Sequence, residues 1–280
     1  MLVVILISAA GTHHRIRWMR QPTGARRGAG AALRDMFQAM VNRALLPMLG
    51  AGVFNAMAYG LSVALSLYFN TYFWAFSADQ VSLFILAQFG SSALALWISA
   101  PLSHRMGKRN AAILCKVLAP LFGLTPIVLR LLDLFPANGS ALLLPIMLVF
   151  HLASVTAASV VAILVGSMCA DVVEDHELKT GRRAEGVMAA ANLFVNKTTS
   201  GIGIFASSMV LAFVGFPANA APQGVDPQVL RDLALVYVPS LVTMHACAVL
   251  CIWRYRITRE SHARTLELLA ERRAAPSLEA

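Results

Sequence analysis

The chain has 280 residues, 58% of them hydrophobic and only 13% charged, with a formal net charge of +9 and a mean hydropathy of +0.67. A water-soluble domain of this length carries about a quarter charged residues, so the deficit excludes a globular soluble enzyme and assigns the apolar surface to a lipid bilayer. The positive charge sits in clusters between apolar runs, which is the pattern of loops on one side of a membrane, and no nucleic-acid partner is expected.

In chain order, residues 1–11 (MLVVILISAAG) are apolar but too short to span. Basic residues follow this stretch rather than precede it, the reverse of a signal peptide. The expectation is the end of a truncated transmembrane helix, then a basic cytoplasmic central loop over 12–42. Apolar runs of spanning length follow at 43–70, 80–103, 111–132, 141–170 and 231–253. A sixth, 186–214, is rich in small residues and interrupted by Asn192, Asn196 and Lys197. These runs predict an all-α membrane protein with a six-helix transmembrane bundle over 43–254. Residues 255–280 read as a cytoplasmic amphipathic tail with Leu266 and Leu269 on one side, held near anionic headgroups.

Loop charge sets the orientation. Arg15 to Arg43, Arg105 to Arg109, Lys179 to Arg183 and Arg254 to Arg273 are basic clusters, whereas the intervening loops 69–79, 133–140 and 215–230 carry no basic residue. Both termini are therefore expected on the cytoplasmic side. Tyr72 and Trp74 fall where an aromatic belt would anchor the opposite face.

Lys197 is the most informative single residue. It lies about eleven residues into its run, roughly 16 Å at 1.5 Å per residue, too deep to reach an interface easily. A charge at that depth costs a few kcal/mol unless it faces a cavity or a counter-charge, so Lys197 is expected to point inward. Asn192 and Asn196 broaden the polar stripe beside it, and Thr198, Ser200, Gly201 and Gly203 suit close helix contact. Cys115, Cys169, Cys247 and Cys251 lie in or at the ends of apolar runs without metal-ligand spacing. No metal site is expected, His176 with its neighbouring carboxylates included. No nucleophile–base pair or phosphate-binding loop is present either, so an enzyme is not expected.

The segment 170–186, ADVVEDHELKTGRRAEG, followed eleven residues later by Lys197, resembles the loop between helices ten and eleven of the melibiose permease-like glycoside–pentoside–hexuronide:cation symporters, a family of the major facilitator superfamily. The matching residues are Ala170, Asp171, Val172, Glu177, Lys179, Thr180, Gly181, Arg182, Arg183, Glu185, Gly186 and Lys197. Residues 11–22 resemble the point where helix six enters the central loop, and 101–110 (PLSHRMGKRN) resembles the loop between helices eight and nine, with His104 where an aspartate is usual. The resemblance covers nearly the whole chain and only the second half of that fold, so it implies the C-terminal bundle of a major facilitator transporter in a bacterial inner membrane.

What it implies for function is sugar:cation symport by alternating access, with sugar bound between two bundles. Lys197 would then line the sugar site with Asn192 and Asn196 beside it. Asp171, Lys179, Gly181, Arg182, Arg183, Arg105 and Gly107 would belong to the cytoplasmic gate and its loops. The coupling cation, Na⁺ or H⁺, would bind carboxylates of an N-terminal six-helix bundle, either missing or a separate chain, because no Asp or Glu here lies deep in an apolar run. Two alternatives stand beside this reading: a membrane protein with a structural or regulatory role that does not transport, and a transporter of a non-sugar solute.

Overall fold

The computed structural model describes residues 10–11, 45–181, 185–217 and 224–274, and those from 45 onward belong to the unit Met36–Ala280. The expectations for 1–9 and 12–42, for Arg182 and Arg183, and for the end of the tail lie outside the described residues.

Every regular element described is helical. Helix α1 (Leu46–Tyr68) starts with proline in its first turn, where the missing N–H costs nothing. It runs on into a π-helical turn, Phe69–Phe73. Ser77 and Gln80 then form a reciprocal capping box that opens α2 (Ala78–Leu131). A straight helix of 54 residues would be roughly 80 Å long, far beyond the ~30 Å hydrocarbon core. Gly107, at φ 79° and ψ 156°, breaks it into two arms, 78–106 and 108–131. That backbone conformation is open to glycine and strained for other residues. Helix α3 (Leu143–Thr180) ends on Gly181 in the left-handed region, φ 67°. Helix α4 (Glu185–Phe213) and α5 (Pro227–Trp253, capped by the Asp226 side chain) follow. The chain closes with α6 (Arg259–Ala274), whose first turn is fixed by reciprocal bonds between Thr258 and Ser261.

Four of these helices, counting α1 with its π-helical turn, are long and apolar enough to cross a membrane: Leu46–Phe73, Ala78–Leu131, Leu143–Thr180 and Pro227–Trp253. Less than half of each apolar stretch is buried in protein, and side chains such as Trp97 (84% exposed) and Phe213 (80%) face outward. In water that surface would drive aggregation. In lipid it is the solvated face.

The arms of α2 pack chiefly on α3, and α1 packs on α4 and α5. At the α1–α4 crossing the backbones touch. A Cβ on Gly60 would lie 2.3 Å from the Ser200 carbonyl oxygen, and one on Gly203 would lie 2.3 Å from that of Met57. The small residues Ser200 and Gly203 thus do the packing expected of them, whereas Thr198 and Gly201 are exposed.

The apolar core falls into two clusters. One surrounds Met48, Ala111, Val160, Met168 and Tyr255. The other is aromatic, with Phe69, Phe73, Trp74, Phe76 and Phe84 around Leu233 and Tyr237. Trp74, expected as an interfacial anchor, is 2% exposed and packed against Phe73, Phe76 and Phe135. The tight Phe73–Ser77 turn, with Ala75 at φ 53°, folds the indole back onto protein.

Two further expectations are corrected. Residues 170–180 are not loop, since α3 continues through Asp171 and Lys179 to Thr180; the glutamates and lysine here are good helix formers. In the tail, Leu269 and Thr265 are buried while Leu266 is 42% exposed. The inward face of α6 is thus His262–Thr265–Leu269, at spacings of three and four.

Candidate functional site

Two groups of polar residues stand out inside the helical bundle, one along its length and one at the end where α6 docks. In the first, Lys116 sits on the 108–131 arm, roughly 14 Å from the Gly107 break at 1.5 Å per residue. It is only 4% exposed, and its Nζ donates to the Asn55 carboxamide oxygen on α1. On α5, His245 lies within electrostatic reach of Lys116, and its Nδ1 has no hydrogen-bond partner. No ion pair of Lys116 occurs among the described residues, so this buried ammonium is held by neutral groups alone. Asn55 itself is exposed, at the start of an outward stripe with Tyr59, Val63 and Leu67, so the pair joins the interior to an open face.

Asn192 and Asn196 on α4 join this layer. Asn196 Nδ2 donates to the Asn192 carbonyl oxygen at 2.8 Å, and both carboxamides face α1 at Gly52, where an added Cβ would meet them at 3.8–4.0 Å. Lys197 is brought to a different place. It is exposed, on the outer arc of α4 with Leu193, Phe194 and Ile204. The two asparagines therefore share a site and the lysine stands apart from them on the surface, about 100° round the helix from Asn196.

The second group holds the end of the bundle together. Lys108 Nζ donates to both oxygens of Asp171, at 2.7 and 2.8 Å. Tyr255 Oη donates to Asp171 Oδ2 at 3.2 Å. His262 Nε2 lies 2.6 Å from Glu174 Oε2 and 3.4 Å from Asp171 Oδ1, which ties α6 to α3. Arg109 donates to the Tyr255 carbonyl oxygen at 3.4 Å, and Lys179 pairs with Asp175 one turn away. Burial, and after it the Asp171 charge, pushes the Tyr255 phenol far above the usual tyrosine range, so it remains a donor to that carboxylate. Asp171, Glu174 and His262 bring their ligand atoms within 4.8 Å of one another, close enough to hold a cation, although Lys108 already neutralises Asp171. Gly107 serves this group by turning the chain so that Lys108 reaches Asp171. Arg105 is exposed and takes no part in the network.

Lys116 carried a readable signal, a lysine inside an apolar run (AAILCKVLAPLF), of the same kind that singles out Lys197. Tyr255 and His262 carried none, because only the return of the tail against α3 brings them to Asp171.

A helical bundle with a lipid-facing exterior and a buried polar layer opening on one face defines a polytopic membrane protein of the transporter class. Residues 1–259 match the family described as MFS/sugar transport protein, and the chain belongs to that family. It is also similar to the isoprimeverose transporter of Lactiplantibacillus pentosus, 28% identical over 188 residues, which are 66% of this chain and 37% of that protein. The chain thus spans well under half the length of this relative.

Proposed function

We propose that the chain is the C-terminal half of a secondary transporter that carries a sugar (a glycoside, pentoside or hexuronide) together with Na⁺ or H⁺ by alternating access. The observation that carries this reading is the family match over residues 1–259, and the similarity to an isoprimeverose transporter points the same way. On this reading the bundle crosses a bacterial inner membrane six times: α1, the two arms of α2, α3, α4 and α5. Both ends are cytoplasmic, and the exposed stripe of α1 at Asn55 and Tyr59 meets an N-terminal six-helix bundle. Lys197, Asn192 and Asn196 serve the sugar from this side, and the Lys108–Asp171 end is the cytoplasmic gate.

A reading without transport is favoured by one observation. The acidic residues of α2 to α5 crowd the helix ends, with Asp79, Glu185 and Asp232 near helix starts and Asp171 to Glu177 in the last turns of α3. Among the described residues α1 to α5 thus offer no carboxylate at mid-helix for a coupling cation.

The test is uptake of labelled isoprimeverose into vesicles from source cells overproducing the native gene product, with Na⁺ or pH gradients imposed separately. Gradient-driven uptake that falls at least tenfold in Lys197→Ala, about 1.4 kcal/mol, is the expected result. Absence of uptake of this and other pentosides and glycosides under every gradient would favour the structural or regulatory role.

A further inference from the structure

At the end of the bundle away from α6, the ends of α1 and α4 and the turns that follow them flank a half-open pocket of about 310 Å³ lined by Leu67, Tyr68, Tyr72, Ser208, Leu211, Phe216 and Pro217. Three aromatic rings build it. Tyr68 and Tyr72 stack at 6.1 Å and 26°. Phe216 stands edge-on to both, 5.1 Å from each, at 90° to Tyr68 and 78° to Tyr72.

Two local backbone devices produce this arrangement. The π-helical turn Phe69–Phe73 closes with the Trp74 N–H on the Phe69 carbonyl, and its wider winding keeps Tyr72 nearly in line with Tyr68. π-Turns of this kind recur at functional sites. At the end of α4, Gly215 adopts φ 67°, with the Phe216 N–H on the Leu211 carbonyl and the Gly215 N–H on that of Ala212. This pattern reverses the chain and throws Phe216 back onto the tyrosines.

We infer that this aromatic pocket is a glycosyl-binding subsite at the outer mouth of the translocation path, where one sugar ring docks before it reaches the polar layer around Asn55. The inference rests on the sugar-transport reading above. Aromatic faces are electron-rich and attract the weakly positive C–H face of a sugar ring, while the Tyr68, Tyr72 and Ser208 hydroxyls both donate and accept hydrogen bonds. A volume near the lower bound of ligand pockets suits one ring of a disaccharide. Tyr68, Tyr72 and Phe216 are each half-buried and turned toward one another, unlike interfacial anchors that point into headgroups. The stripe Asn55–Tyr59–Val63–Leu67 runs from the polar layer to the rim at Leu67 on one face of α1, so the subsite and the layer share a continuous surface.

The experiment is equilibrium binding of isoprimeverose to the purified native protein in lipid nanodiscs, with mannitol as a polyol control. Phe216→Ala is expected to weaken binding at least tenfold and Tyr72→Phe about threefold, with mannitol failing to compete. Phe216→Leu keeps the apolar bulk and controls for folding. If it weakens binding as much as Phe216→Ala while the thermal midpoint holds, the ring is the ligand group. Wild-type affinity in Phe216→Ala, or full rescue by Phe216→Leu, overturns the subsite and leaves the transport reading standing. Failure of the wild type to bind any sugar overturns both.

Discussion

Lys116 and Asp171 show how two charges on the same bundle are kept by opposite means. Asp171 accepts from Lys108 and Tyr255, with His262 Nε2 3.4 Å from its other side. Lys116 has an amide oxygen and no counter-charge among the described residues. Removing a single partner from a buried charge leaves the full desolvation cost in place, about 1–3 kcal/mol or more. Asn55→Leu is therefore expected to lower the thermal midpoint clearly, whereas Lys116→Met should be close to neutral, because an apolar side chain of similar length fills the same space. Thermal unfolding in detergent of both single variants and the double variant checks this. If Asn55→Leu is just as harmful in the Lys116→Met background, the lysine–asparagine bond is not what Asn55 contributes. Both residues stand in the sequence, but only Lys116 is conspicuous there. An asparagine in an apolar run has many explanations until the helix facing it is known.

Among the elements, the α1–α4 contact depends on two glycines. Gly60 and Gly203 let the backbones meet where a Cβ would lie 2.3 Å from a carbonyl oxygen, and in lipid such close packing is a main source of helix association. Gly203→Leu should force the helices apart and displace Asn192 and Asn196 from Gly52. The expected signature is a lower thermal midpoint together with new thiol labelling of a cysteine placed at Ala56 beneath the contact. Unchanged labelling would mean that the crossing tolerates a side chain and is looser than the geometry requires. The helices themselves were legible from apolar runs of spanning length. Their ends were less so. The extension of α3 through Lys179 and the break at Gly107 both occur where hydropathy has already faded, so capping and backbone conformation decide them instead.

For the whole molecule, the distribution of basic residues is less one-sided than a loop-by-loop count suggests. Arg130 ends the second arm of α2 and folds onto Pro136 and Asn138 of the adjoining turn, and Arg231 lies in the first turns of α5. Both are at the aromatic end of the bundle, opposite the Lys108–Asp171 network. Among the described residues most of the positive charge lies at the α6 end, and the proposed six-crossing arrangement makes a direct prediction. In intact source cells, a single cysteine at Asn138 should react with a membrane-impermeant maleimide, and one at Lys179 should react only after the membrane is opened. Equal reactivity at both would remove the topology and the gate assignment with it. Hydropathy, charge placement and intramembrane polar residues are properties of a linear chain in a layered solvent, so the sequence alone determined that this is a polytopic membrane protein of helices, which runs they occupy, and that a lysine with two asparagines marks α4. Which of those polar groups meet was decided by tertiary structure: a helix turns each residue through 100°, and only the packed neighbours fix which arc faces protein, leaving Lys197 outside, Asn192 and Asn196 against α1, and Lys116 within.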